Sequence, residues 1–157
     1  MKRNVIIYSA MGNIIYENKR ILEHIMKCAK TESEQSTYDQ FKLGAVLFSG
    51  RKILATGCNL AKGHPMQKKY NKQRYQENEH ECGYVHAEMN AIINVLHYAR
   101  YNSIKFNDLS IFVYREHKDG SYALAKPCKA CEKALRDLGI RNIYYTGEHS
   151  LVYEKYF

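Results

Sequence analysis

Two short segments of the sequence carry residues that could bind a metal ion and move protons. The first, "HAE", places His86 two residues before Glu88. The second, "PCKAC", places Cys128 and Cys131 one helical turn apart, directly after Pro127. Each segment opens a pattern typical of a helix, so the cysteines lie near a helix N-terminus, where the helix dipole lowers the pKa of a thiol. We therefore expect thiolates.

Taken alone, each segment also has a structural explanation. A histidine there can be a packing residue, and a glutamate can simply favour the positive end of the helix dipole. A Cys-x-x-Cys pair can be a redox dithiol, half of a structural zinc site or part of a catalytic one. Together the segments favour the catalytic site, because two thiolates and one imidazole give three tetrahedral zinc ligands with the fourth position open. Glu88 would then move protons for a zinc-activated water.

The elements that position these residues follow from hydrophobic periodicity and from turn residues. We predict three helices, at 17–30, 86–100 and 128–138, the last ended by Gly139. Five strands are predicted, at 43–48, 52–57, 109–117, 122–125 and 140–147. Strands separated by helices imply crossover connections and a mixed sheet with helices on its faces.

The order of the two motifs resembles that of the cytidine deaminase superfamily, in which His-x-Glu precedes Pro-Cys-x-x-Cys. "VHAEMNAI" is most similar to the deoxycytidylate deaminase branch, in particular to its small phage versions. The resemblance covers roughly residues 43–147. It implies an α/β fold, a three-layer α/β/α sandwich with a mixed five-stranded sheet and the two motif helices side by side beneath the site.

The resemblance also implies a reaction. It is the zinc-dependent hydrolytic deamination of a cytosine nucleotide, with deoxycytidine monophosphate (dCMP) converted to deoxyuridine monophosphate (dUMP). His86, Cys128 and Cys131 would hold one catalytic zinc ion. Glu88 would protonate the ring nitrogen and then the departing ammonia.

Three residues are expected to bind the substrate. By the resemblance, Asn59 would contact the sugar, although a turn residue tolerant of positive φ is the alternative. The backbone amide of Ala87 would bind a carbonyl of the base. Arg115, at the end of a strand, is a candidate phosphate ligand, with a solvated charge as the favoured alternative. Lys126 departs from the family pattern, since other members have a small residue or a carboxylate there.

The formal charge of +8 favours phosphorylated small molecules or polyanions as partners. Much of the excess lies between Lys62 and Arg74, where basic residues alternate with Tyr70. This segment could hold the phosphate of a free nucleotide, or the backbone and bases of tRNA or single-stranded DNA, or it could be a solvated loop. A catalytically silent nucleotide-binding protein is a further alternative, against which Glu88 argues because a binder needs no such acid.

Four further side chains, Cys58, His64, His80 and Cys82, bracket the basic segment and offer ligands for a second, structural zinc ion. Their spacing is irregular, so we favour ordinary loop residues. Five cysteines cannot all pair, and no signal for export is evident, so we do not expect disulfides.

At 157 residues the chain is expected to form a single domain, covering 1–157. No apolar run approaches the roughly 20 residues that span a bilayer, and residues 1–13 lack the pattern of a secretory signal. We therefore expect a cytoplasmic protein that does not contact membranes. The resemblance implies a homo-oligomer, in which the aromatic tail at 151–157 would lie at a subunit contact or pack on its own sheet.

Overall fold

The fold, described for residues 4–9, 14–72 and 83–157 of a computed structural model, alternates strands and helices. The strands are β1 (Asn4–Ser9), β2 (Ile14–Asn18), β3 (Leu43–Ser49), β4 (Lys52–Cys58), β5 (Ser110–Arg115), β6 (Asn142–Thr146) and β7 (Leu151–Lys155). The helices are α1 (Lys19–Ser33), α2 (Pro65–Asn71), α3 (Ala87–Ala99) and α4 (Lys129–Leu138), with a short 3-10 helix at Phe106–Asp108.

The seven strands form one mixed sheet in the order β2-β1-β7-β6-β5-β3-β4. β5 pairs with β6 in parallel, and β1 pairs with β7 in parallel, whereas the other neighbours are antiparallel. A parallel pair needs a crossover connection, and α4 provides the one between β5 and β6. The crossover brings the N-terminus of α4 back to the end of β5.

Both faces of the sheet are covered by helices. Side chains of β3 alternate between them: Ala45 and Leu47 join the core beneath α3 and α4, whereas Val46 and Phe48 join the core beneath α1. A strand that is buried on both faces reads as a continuous apolar run, as this one does. The three-layer α/β arrangement predicted from the sequence is confirmed.

The predicted number of five strands is wrong. Three strands were not predicted, namely β7 and the hairpin of β1 and β2 that extends one edge of the sheet, and the pattern at 122–125 does not form a strand. This segment makes an isolated bridge through Tyr122, and Ala125 then donates a backbone hydrogen bond of 2.9 Å to Thr146. The segment contacts the ends of β5 and β6 through these bonds, but it does not form a strand beside either of them.

The aromatic tail packs on its own sheet. Leu151 lies in the core on the α1 side, and Tyr156 lies in the core on the α3 side. β7 lies between β6 and β1, so the tail is an internal part of the sheet. Phe157 is 88% exposed.

Two glycines let helices approach the sheet closely. A Cβ atom on Gly44 would overlap the carbonyl oxygen of Ala29 in α1. A Cβ atom on Gly57 would lie 2.7 Å from the carbonyl oxygen of Ala87 in α3 and would overlap the next turn. The start of α3 is therefore set directly against β4.

Candidate active site

The two predicted motifs meet at the N-termini of α3 and α4. His86 is the N-cap residue of α3, Cys128 is the N-cap residue of α4, and Cys131 lies in the first turn of α4. The Nδ1 atom of His86 is 3.5 Å from the Sγ atom of each cysteine. Within the described ranges, no other group of three His, Cys, Asp or Glu side chains is close enough to hold a metal ion.

Neither N-cap side chain caps its own helix. Ser, Thr, Asp or Asn at an N-cap usually accepts a hydrogen bond from the first turn, but His86 and Cys128 make no such bond. Their imidazole and thiol groups point to each other across the junction of the two helices. Helix geometry thus places three donor atoms at one point.

The environment of Cys128 favours its thiolate. Hydrogen bonding from Cys131, together with the hydrogen bond and charge of His86, lowers the pKa of Cys128 to about 4, against the opposing effect of burial. A thiolate is the form of cysteine that binds metals. The sequence predicted a lowered thiol pKa from the helix dipole. In the structure, side-chain contacts are the main cause of the lowered pKa of Cys128.

Glu88 lies in the first turn of α3 and is 3% exposed. Burial raises the pKa of its carboxyl group to about 7 in the metal-free chain, although the charge of His86 opposes this effect. A carboxyl group with such a pKa exchanges its proton near neutral pH. It is the one buried acidic side chain of the described residues.

The donor set fits zinc. Zinc takes tetrahedral sulfur and nitrogen ligands, with Zn–S near 2.3 Å and Zn–N near 2.05 Å, which puts the sulfur and nitrogen atoms roughly 3.6 Å apart. The separations of 3.5 Å between His86 Nδ1 and the two sulfurs match this geometry. Three ligands leave a fourth position open, as catalytic zinc sites require.

A cavity of about 260 Å³ opens beside these residues. Such a volume is slightly below the roughly 300–1,000 Å³ of typical ligand pockets, so the cavity suits a small molecule. Its lining includes His86, Glu88 and Cys128. The rest of the lining consists of Phe41, Leu43, Asn59, Tyr84, Ala87, Arg115, Leu124, Ala125 and Lys126.

Asn59 lies in this lining and also holds the neighbouring loop. Its Oδ1 atom accepts hydrogen bonds from Ser36 Oγ at 2.6 Å and from the Leu43 backbone at 2.8 Å. Its Nδ2 atom donates to the Phe41 carbonyl at 2.9 Å. The side chain therefore has a structural function, and the proposed sugar contact falls to its amide nitrogen.

Ala87 and Arg115 also line the cavity. Ala87 is the first residue of α3, and a helix leaves its first backbone N–H groups without partners inside the helix. Arg115 is half-buried, with its guanidinium carbon 4.9 Å from the centre of the Phe41 ring. A cation over an aromatic face is attracted by the electrons of the ring, so this contact holds the guanidinium group beside the cavity.

Two polar lining residues, Lys126 and Tyr84, were not recognised as site residues from the sequence. Lys126 brings a second cation to the cavity, and its Nζ atom is 3.5 Å from Glu154 Oε2. Tyr84 stacks on His86 with ring centres 5.0 Å apart, and its other neighbour, Tyr38, is 4.6 Å away. The position of Tyr84 two residues before the histidine was the available signal, since i and i+2 share a side of an extended chain.

The basic segment is only partly described. Its described side chains, up to Lys72, do not line the cavity, and residues 73–82 lie outside the described ranges. Of the candidate ligands for a second zinc ion, His80 and Cys82 also lie outside. His64 caps α2 by accepting a hydrogen bond of 3.1 Å from Met66, and the buried Cys58 is not part of a metal-binding group within the described ranges.

Residues 19–147 match the family model described as the cytidine and deoxycytidylate deaminase zinc-binding region. The site defined above, with its zinc-binding His and Cys residues and a buried glutamate, is that of a zinc-binding hydrolase. The chain belongs to the cytidine and deoxycytidylate deaminase family. No curated protein sequence matches it.

Solved structures of this family share the fold. The dCMP deaminase of the cyanophage S-TIM5 in its apo form is 24% identical, with a TM-score of 0.57 over 82% of this chain and 84% of that one. The same enzyme in complex with dCMP and dUMP is 25% identical, with a TM-score of 0.55 and 82% of each chain covered. A cytidine deaminase from Burkholderia pseudomallei is 24% identical, with a TM-score of 0.55 over 85% of this chain and 91% of that one.

In the described part of the chain, no helix is both long enough and apolar enough to cross a membrane.

Proposed function

We propose that this protein deaminates a cytosine nucleotide by zinc-dependent hydrolysis, with dCMP converted to dUMP and ammonia. The observation that carries the proposal is the buried carboxyl group of Glu88, which lines the same cavity as His86 and Cys128. An acid that served only the helix dipole would lie in solvent, because burying a carboxyl group is costly. A cytoplasmic location remains a prediction.

In this mechanism His86, Cys128 and Cys131 would hold the zinc ion. Zinc in such a site supplies Lewis acidity, which makes water a nucleophile at neutral pH. Glu88 accepts the proton of that water and donates to the ring nitrogen of the base. Glu88 would then take the proton of the hydroxyl group that has added to the ring carbon and pass it to the amino group, so that the C–N bond breaks, ammonia leaves and the new carbonyl forms.

Backbone and side-chain groups of the lining would orient the substrate. The Ala87 N–H, at the start of α3, would donate to the carbonyl oxygen of the base. The Nδ2 group of Asn59 would donate to the sugar. Both groups are held by packing, since Ala87 and Asn59 are each about 1% exposed.

The phosphate is assigned to the two cations of the cavity. Arg115 and Lys126 both line it, whereas the described part of the basic segment does not. A guanidinium group binds phosphate through two hydrogen bonds, and an ammonium group adds a point charge. This assignment replaces our sequence-based expectation that the basic segment holds the phosphate of a free nucleotide.

The test is ammonia release by zinc-loaded protein. The panel contains cytidine, deoxycytidine, their mono- and triphosphates, cytosine-containing single-stranded DNA and tRNA, with a Glu88→Gln protein as control for contaminating activity. We expect activity on dCMP above all other compounds.

Other outcomes would replace the proposal. Ammonia from tRNA or DNA alone would indicate a polynucleotide deaminase, for which the stacked rings of Tyr38 and Tyr84 would offer a surface for a neighbouring base. Ammonia from none of the compounds, with tight dCMP binding, would indicate the silent nucleotide-binding protein.

A further inference from the structure

We propose that Gln67 is a positioning residue for the zinc ligand His86, and that α2 joins the two halves of the zinc site. The proposal rests on the zinc site, and it does not depend on which nucleotide is the substrate. α2 lies within the basic segment, which the sequence related only to phosphate or nucleic acid. The face of α2 that is turned toward the protein interior has a function other than binding phosphate or nucleic acid.

The inward face of α2 carries two amide side chains. Gln67 is 1% exposed, and Asn71, one turn later, is 8% exposed. A short helix on a protein surface normally turns apolar residues inward, and burying an amide is costly unless its hydrogen bonds are made. The Gln67 Nε2 group donates to Asn71 Oδ1 at 2.8 Å. This bond fixes the orientation of the Gln67 amide.

The oxygen of the Gln67 amide binds the backbone of the zinc ligand His86. Gln67 Oε1 accepts a hydrogen bond of 2.9 Å from the backbone N–H of His86. This N–H precedes α3, whose first intrahelical bond, from Asn90, is accepted by the His86 carbonyl at 2.9 Å. The peptide groups on both sides of the His86 Cα atom are thus fixed, the first by Gln67 and the second by the helix.

α2 also contacts the helix that carries the cysteines. The Tyr70 hydroxyl donates a hydrogen bond of 2.9 Å to Asp137 Oδ2 in α4. One short helix therefore bridges α4 and the residue that begins α3. His86 and the cysteines come from segments about forty residues apart in sequence, so contacts between distant segments set their relative position, and the buried Gln67 contact is the stronger of the two that α2 makes.

Groups that orient metal ligands typically change metal affinity 10- to 100-fold when they are removed. We expect Gln67→Leu, which preserves size but removes both hydrogen bonds, to weaken zinc binding by about this factor. Gln67→Glu retains an acceptor for the His86 N–H and should remain within about threefold of the natural protein. Tyr70→Phe should have an effect below about threefold, because its hydrogen bond is exposed and water replaces it.

The matched control is Asn94→Leu. Asn94 lies on the exposed side of α3 and donates to the Thr56 carbonyl at 2.8 Å, so it also ties α3 to a neighbour, but away from the zinc ligands. Zinc affinity is measured by competition with a chromogenic chelator on the full chain. Thermal unfolding of the metal-free proteins separates metal binding from general stability.

Three outcomes would overturn the proposal. One is an unchanged zinc affinity in Gln67→Leu. Another is an equal loss in Gln67→Leu and Asn94→Leu. The third is a loss that Gln67→Glu does not recover. If Gln67→Leu does not fold, Asn71→Ala serves in its place, since it releases the Gln67 amide while leaving its oxygen; it should weaken zinc binding more than Asn94→Leu does, and an equal effect would refute the proposal.

Discussion

The carboxyl group of Glu88 shows how position decides the chemistry of a side chain. In sequence it is one acidic residue in the first turn of a helix, where it would also stabilise the helix by its charge. In the folded chain it is buried beside one imidazole and two sulfurs. Its proton is therefore available to a ligand of the cavity and hardly available to bulk solvent.

Replacement of this group separates metal binding from turnover. We expect Glu88→Gln to retain one zinc ion per chain and to lose at least 10²- to 10⁴-fold in kcat, because a positioned acid or base contributes about that much. Elemental analysis measures the zinc content, and ammonia release measures kcat. Wild-type turnover in Glu88→Gln would contradict the proposed role.

The raised pKa of Glu88 also predicts a pH dependence of stability for the metal-free protein. Its pKa is about 7 in the folded chain and 4.5 when unperturbed, so the folded state keeps a proton that the unfolded state releases. The associated stability is present below pH 4.5 and is lost as the pH rises through 7. The difference between the two pKa values corresponds to about 3 kcal/mol in the free energy of unfolding.

We therefore expect the free energy of unfolding of the metal-free natural protein to fall, relative to metal-free Glu88→Gln, between pH 4.5 and 7.5. Urea unfolding of both proteins at several pH values measures this difference. Parallel curves for the two proteins would show that Glu88 does not titrate in this range.

At the scale of elements, the helices of the site were the most predictable part of the fold. α3 and α4 begin within one residue of the predicted positions, and α4 ends at Gly139, which adopts a positive φ of 82°. Caps and breakers are local signals, so a single sequence reveals them. His86, Cys128 and Cys131 were brought together correctly because the order of the two motifs resembles that of the cytidine deaminase superfamily and because one imidazole and two thiolates suit a catalytic zinc ion.

The remaining features depend on contacts between distant segments. Among the described residues, the hairpin of β1 and β2 pairs with the rest of the sheet through β7, which is far away in sequence. Likewise, the link between Gln67 and His86 and the entry of Lys126 into the cavity depend on how loops fold back onto the sheet. Local propensity carries no information about such pairings, so the place of these strands in the sheet and several lining residues could not be predicted.

Gly57 provides a test of how closely α3 must approach the sheet. We expect Gly57→Ala to destabilise the protein by about 1–3 kcal/mol or more, because the new methyl group meets backbone atoms of α3 that cannot rotate away. Urea unfolding measures the change. Gly63→Ala is the control, since a Cβ atom there meets nothing within 4 Å and should alter stability by no more than about 0.5 kcal/mol.

At the scale of the whole molecule, the net charge of +8 should influence how substrate arrives. A positive field attracts a dianionic nucleotide, and salt screens that attraction. We expect kcat/KM for dCMP to fall several-fold between low and high ionic strength. Deoxycytidine, which has no charge, is the matched control and should show little change; an equal salt effect on both substrates would exclude attraction by the field.

The oligomeric state is also a property of the whole molecule, and the sequence predicts a homo-oligomer. The tail packs on its own sheet through the buried Leu151 and Tyr156, and the homo-oligomer stays a prediction. Sedimentation of the zinc-loaded protein at several concentrations measures the oligomeric state.

The place of β7 inside the sheet has a consequence for biosynthesis. β1 and β2 are made first, yet their connection to the remaining strands runs through residues 151–155, which leave the ribosome last among the strands. During translation the early hairpin exposes an unpaired strand edge, of the kind that promotes association between nascent chains. We infer that the sheet is completed only after the synthesis of β7, because the early hairpin has no other strand to pair with among the described residues.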